Sequence, residues 1–241
     1  YGRYRLGTTH SPMKHELRKA YRLMRKQFGH RKWWPGDTPF EICVGAILTQ
    51  NTSWKNVERA IANLKAAHVL TPRKIHALSH DELAQLIRPA GYFNVKARRL
   101  RAFVDTLVEQ HGASLKRLFK GNSKTVRERL MAINGVGPET ADSMLLYASD
   151  HHSFVIDAYT KRIFERHGWC GNDADYDALQ SLCTDSLNQK RGAEELDYWR
   201  DYHAQLVAIG NRYCKPRNPL CGQCPLESLL PNQTCTRDEQ S

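Results

Sequence analysis

The chain has 241 residues, with 36 Lys and Arg against 25 Asp and Glu, giving +11 at neutral pH. That length can bury one large or two small cores, and the positive excess suggests a polyanionic partner, nucleic acid being the commonest. No window approaches about 18 uninterrupted apolar residues, no apolar leader marks secretion, and seven cysteines, an odd count, argue for a reducing compartment over a disulfide framework.

Helix-start signals recur along the chain, and strand signals are almost absent. Ser11-Pro12, Thr38-Pro39 and Thr71-Pro72 each set a capping hydroxyl before a proline at the first helical position. Thr38 with Glu41, and Ser79 with Glu82, read as capping boxes. Apolar residues then recur at helical spacing, as at Leu83, Leu86 and Ile87 or at Leu100, Phe103, Val104 and Leu107. Turn-like connections fall at 32–37, 89–94 and 120–123, with a polar loop at 171–177. The pattern predicts roughly ten helices and no sheet, an all-α protein. Cys43, Cys170 and Cys183 are scattered and read as small buried hydrophobes.

The most specific stretch is Leu130-Met-Ala-Ile-Asn-Gly-Val-Gly-Pro-Glu-Thr-Ala141. It predicts helices over 124–133 and 138–149 around a Gly135-Val136-Gly137 turn, both glycines supplying left-handed or close-approach geometry. Ile133, Val136, Ala141 and Leu145 would pack the two helices together. The free N–H groups at the second helix start form an anion site, gripping a phosphate without reading a base. Thr140 belongs to this phosphate contact. A purely structural hairpin is the alternative.

Farther on, Asp157 sits in the apolar run Phe154-Val-Ile-Asp-Ala. A carboxylate there is costly unless it caps a helix, pairs with a cation or does chemistry. Helix 158–167 begins directly after it, so capping and chemistry can coexist. Near the end, Cys214-x6-Cys221-x2-Cys224 is followed after ten residues by Cys235. Four clustered cysteines in a reducing compartment point to metal, and four thiolates suit an iron–sulfur cluster or zinc. Lys215 and Arg217 in that loop are suited to phosphate contact, or are solvated surface charges.

From about Trp33 to Cys235 these motifs resemble endonuclease III and the helix-hairpin-helix DNA glycosylases. The likeness covers the hairpin, Gly45-Ala-Ile-Leu-Thr-Gln-Asn-Thr52, Ala90-Gly-Tyr-Phe-Asn-Val-Lys-Ala97 and the cysteine run. The resemblance implies a six-helix barrel domain over 38–149, with its hairpin at 124–149. It implies a second helical domain made of the N-terminal helix (11–37) and residues 150–235, which ends in the cluster loop and a tail, 236–241. Cys214, Cys221, Cys224 and Cys235 would hold a [4Fe–4S] cluster, although the family's last spacing is usually five; zinc is the alternative. Gln50 and Asn51 would fill the space left by an extruded base, with Tyr92 and Phe93 wedging from the other side, unless these two rings simply pack.

Asp157 is the catalytic carboxylate by this resemblance, stabilising an oxocarbenium-like sugar and orienting or deprotonating water. Position 139 carries Glu, where strand-nicking members use a Lys amine to form a Schiff base. Lys161 is a conceivable substitute that nothing in the sequence places. Mismatch-specific adenine glycosylases carry an acid where this chain has Ala46. Trp33, Trp34 and Trp54 instead offer aromatic faces to a cationic alkylated purine, or serve as packing. The expectation is a monofunctional glycosylase acting as a monomer on double-stranded DNA with a damaged base, most closely resembling the 3-methyladenine glycosylases. It would leave an abasic site and work inside the cell, at the nucleoid in a bacterium, with no membrane partner. A uracil or thymine mismatch glycosylase is the first rival, and a non-catalytic DNA-binding protein the second.

Overall fold

The computed structural model describes residues 10–33, 36–171 and 173–231; Trp34 and Cys235 lie outside them. Among the described residues every regular element is helical, and none is long and apolar enough to cross a membrane. Contacts divide the chain into two compact units: the N-terminal stretch to Trp33 together with the chain from Phe154, and Trp34–Ser153.

The Trp34–Ser153 unit contains α2 (Pro39–Leu48), α3 (Trp54–Ala66), α4 (Pro72–Ala77), α5 (His80–Leu86), α6 (Phe93–Glu109), α7 (Leu115–Leu118), α8 (Ser123–Met131) and α9 (Pro138–Ala148). A 3-10 turn, Arg88–Ala90, leads into α6. Helix α2 is buried nearly all round and packs on α3, α6 and α9. Its neighbours are amphipathic, and the apolar stripe of α6 (Leu100, Phe103, Val104, Leu107) enters the same core as Ile47, Leu130 and Leu145.

Local chemistry sets most helix starts. The Thr38 hydroxyl accepts the Glu41 N–H at 3.2 Å, and Ser79 with Glu82 forms a complete capping box. Glu41 does not complete its own box, because its carboxylate pairs with Lys65 at 2.8 Å. Thr71 occupies the cap position without a side-chain bond.

The other unit contains α1 (His10–Phe28), α10 (Ala158–Arg166), α11 (Tyr176–Ser186) and α12 (Gly192–Arg212). Helix α1 opens at His10, so Ser11 lies inside it and is not its cap. Leu17, Ala20 and Met24 of α1 are fully buried, and the helix packs on α11 and α12. Buried Asp201 of α12 fastens the two ends of the sequence: it accepts from the Tyr21 hydroxyl at 2.7 Å, Arg25 Nη1 at 3.0 Å and the Arg31 N–H at 2.8 Å. These bonds supply the partners a buried carboxylate requires.

Candidate functional site

In the hairpin, α8 ends at Met131, two residues short of the expected helix end, and α9 begins at Pro138 as expected. Ile133, Val136, Ala141 and Leu145 are all buried in the unit's core. Only one turn glycine is needed for its conformation. Gly135 has φ +86°, and a Cβ there would lie 2.2 Å from Arg99 Cγ. Gly137 is extended, at φ −90° and ψ 179°, a shape open to any residue, and a Cβ would meet nothing within 4 Å. As the N-cap it brings no side chain to the first-turn N–H groups of α9, which keeps that helix end suited to a phosphate. Inside the hairpin, Arg127 Nε donates to Asp142 Oδ1 at 3.0 Å, and Ser153 Oγ donates to the same oxygen at 2.5 Å. Glu139 is exposed in the first turn of α9, where the helix dipole favours an acid.

Gln50 is engaged from three directions. Its amide nitrogen donates to the Gly135 carbonyl at 3.0 Å and to Thr140 Oγ1 at 2.9 Å, and Arg99 Nη1 donates to its amide oxygen. Gln50 is thus latched to the hairpin, and buried Thr140 turns its hydroxyl to Gln50. Asn51 is exposed with φ +53°. Tyr92 caps α6 in the left-handed region, at φ 45° and ψ 33°, and is 73% exposed. Phe93 beside it packs against the core and lies under Arg88, whose guanidinium carbon is 5.9 Å from the ring centroid, a cation–π distance. Trp54 also packs against that core.

Asp157, in the other unit, is the N-cap of α10. Its Oδ1 accepts the Thr160 N–H at 2.7 Å, and its Oδ2 lies 3.4 Å from His203 Nε2 of α12. The two side chains are only 12% and 8% exposed. Burial works to raise the Asp157 carboxyl, yet His203 and the Thr160 N–H outweigh it and hold the group below its ordinary range. Asp157 is therefore an ionised, largely desolvated carboxylate. The Trp33 ring lies 6.5 Å from that of His203, which places one of the expected tryptophans in the Asp157 unit. Lys161 is near Glu165, at 3.9 Å.

Cys214, Cys221 and Cys224 converge on one recess, lined also by Arg166, Tyr213 and Leu230. Arg166 Nη1 donates to Cys214 Sγ at 3.2 Å and to the Lys215 carbonyl at 2.6 Å. Converging sulfur donors backed by a guanidinium fit an anionic iron–sulfur cluster. Leu230 stands where the usual five-residue spacing after Cys224 would put a fourth cysteine. Lys215 and Arg217 are exposed on the same loop.

Two side chains that organise these regions escaped the sequence reading. His203 lies 46 positions from Asp157, the difference of their numbers, and nothing local links them. Lys96 left a usable signal: with Leu100, Phe103 and Leu107 it shares the inward stripe of α6, where a lysine is out of place. It is 1% exposed, and its Nζ donates to the Leu48 carbonyl at 2.8 Å and the Ala90 carbonyl at 2.7 Å. Burial, with Arg99 nearby, pushes it down to about 8.

Residues 44–189 match the HhH-GPD superfamily of base excision DNA repair proteins, and 214–229 match the iron–sulfur binding domain of endonuclease III. The Methanocaldococcus jannaschii protein MJ1434, in name a DNA repair glycosylase, is 44% identical over 88% of this chain and 94% of its own length. A non-covalent endonuclease III–DNA complex aligns with a TM-score of 0.75 at 23% identity, covering 90% of this chain and 94% of that one. The H. pylori 3-methyladenine DNA glycosylase MagIII, bound to 1,N6-ethenoadenine, aligns with a TM-score of 0.70 at 26% identity, covering 83% and 97%. Residues 214–229 thus form an endonuclease III-type iron–sulfur binding domain, and the chain belongs to the HhH-GPD superfamily of base excision DNA glycosylases.

Proposed function

We propose that this glycosylase is monofunctional, acts as a monomer on duplex DNA and hydrolyses the N-glycosidic bond of an alkylated purine of the 3-methyladenine class, leaving an abasic site. The reading is carried by the presence, in one chain, of an ionised, desolvated Asp157 and of a glutamate at position 139. A carboxylate can stabilise a sugar that is becoming cationic. A glutamate cannot form the Schiff base through which strand-nicking relatives work.

In the reaction the C–N bond breaks, and its electron pair leaves with the base. Water adds its oxygen to C1′ and gives its proton to Asp157 or to solvent. A purine that is already cationic departs as a neutral base and needs little acid catalysis. That suits a chain with Ala46 where adenine mismatch enzymes place an acid, and with Trp33 in the Asp157 unit. Likeness to MagIII supports the same substrate class. Cys214, Cys221 and Cys224 would hold the iron–sulfur cluster, which when bound would anchor the loop that presents Lys215 and Arg217.

The test is a base-release panel of duplexes carrying 3-methyladenine, uracil or a thymine mismatch, run with and without borohydride. Release of 3-methyladenine with no trapped protein–DNA species is expected. Release confined to uracil or thymine overturns the substrate assignment, and a strong trapped band overturns the monofunctional one.

A further inference from the structure

Two loops follow the helix ends that Lys96 touches. Leu48 is the last residue of α2, and Gln50 and Asn51 follow two and three residues later. Ala90 ends the 3-10 turn, and Tyr92 follows two residues later. A helix end presents carbonyls without intrahelical partners and attracts cations, so one buried ammonium binds both ends at 2.8 and 2.7 Å. Three positions along the same helix, Arg99 holds the Gln50 amide and lies against Gly135 of the hairpin. In the loops themselves, Asn51 and Tyr92 occupy the left-handed region, a costly backbone for a ring as large as tyrosine unless its surroundings hold it there.

We infer that Lys96 is a positioning residue for base extrusion, holding the Gln50 and Tyr92 loops at one fixed spacing on α6 so that they enter the duplex as a single body. This rests on the glycosylase reading, because extrusion is the step at which both loops are needed. Lys96 touches neither DNA nor sugar in this scheme. Its neutral isostere leaves the hairpin and Asp157 in place but lets the two loops drift apart. The loss therefore falls on extrusion, before bond breaking.

The experiment compares Lys96→Met with wild type on three DNAs: an undamaged duplex, a duplex with the lesion paired, and one with the lesion already unpaired in a bulge. Extrusion is read by 2-aminopurine fluorescence next to the target base, and chemistry by single-turnover release. Lys96→Met should bind undamaged duplex within about threefold of wild type, the contact there being phosphate positioning. It should lose about tenfold or more in the rate constant on the paired lesion, with little change in half-saturating protein concentration. The bulged lesion should recover most of that loss, since its unstacking is prepaid by the substrate. Equal losses on paired and bulged lesions, or an unchanged fluorescence response, overturn the proposal.

Should Lys96→Met fail to fold, Gln50→Ala and Tyr92→Ala are combined in a double-mutant cycle on the otherwise native chain. Loops acting as one body give a coupling of about fivefold or more in extrusion, and additive effects overturn the proposal. A wild-type protein that releases no base from any lesion would sink the glycosylase reading instead. The fluorescence readout, which needs extrusion but no bond breaking, still judges Lys96.

Discussion

The capping role of Asp157 and the catalytic role proposed for it can be separated by one substitution. As the N-cap of α10 it accepts the Thr160 N–H, and asparagine caps about as well as aspartate, so Asp157→Asn should change stability by less than about 1 kcal/mol. As an ionised group beside His203 it would, in the proposed reaction, support a positive sugar, and asparagine could not. We expect Asp157→Asn to lose base release by at least about 100-fold while duplex affinity holds, measured by single-turnover release and by binding titration. Unchanged release would remove Asp157 from the chemistry. Because the carboxyl sits below its ordinary 3.8, its charge adds stability above that pH and loses it as pH falls through the lower folded value. The stability difference between wild type and Asp157→Asn should therefore be flat from neutral pH down to about 4, then close in acid.

The hairpin is a helix pair whose turn is set by backbone and whose arms are set by charge. Gly135 is required twice over, by φ +86° and by the Arg99 side chain lying where a Cβ would go. Gly135→Ala should cost about 1–3 kcal/mol of stability and weaken duplex binding, read by thermal unfolding and by titration with undamaged DNA. Gly137→Ala should be mild in folding, its backbone being extended and its surroundings open; a severe folding defect there would contradict the conformation described. The Arg127–Asp142 pair sets the spacing of the two helices, and Gln50 ties the turn to the end of α2. The N-terminal end of α9 is thereby held by the Gln50 bonds to Gly135 and Thr140 and by the Arg127–Asp142 pair.

Across the whole molecule, the chain's two compact units divide the labour. One carries the hairpin and the two loops organised by Lys96 and Arg99. The other carries Asp157, His203 and the cysteine recess. Freshly isolated protein should contain iron and acid-labile sulfide. Cys224→Ser should lose both and expose the 214–231 region to proteolysis, because that stretch has two short 3-10 turns and little apolar burial beyond Leu226 and Leu229. Zinc in place of iron would refute the cluster assignment.

What the amino-acid order determined alone was local or periodic. Capping residues and prolines marked helix starts, the 3.6-residue stripes marked buried faces, and the glycine hairpin and cysteine spacing marked two binding elements. Each is written within a few turns of chain, so each is legible without the fold. Even there, Ser11 and Gly137 were misjudged: a hydroxyl before a proline need not be a cap, and a turn glycine need not have positive φ. The tertiary structure alone decided which distant groups meet. Lys96 reaches Leu48 across 48 positions, Tyr21 reaches Asp201 across 180, and His203 reaches Asp157 from another helix. The reason is physical: a buried charge survives only where folding gathers its partners, and those partners are chosen by packing geometry, which no spacing along the chain records.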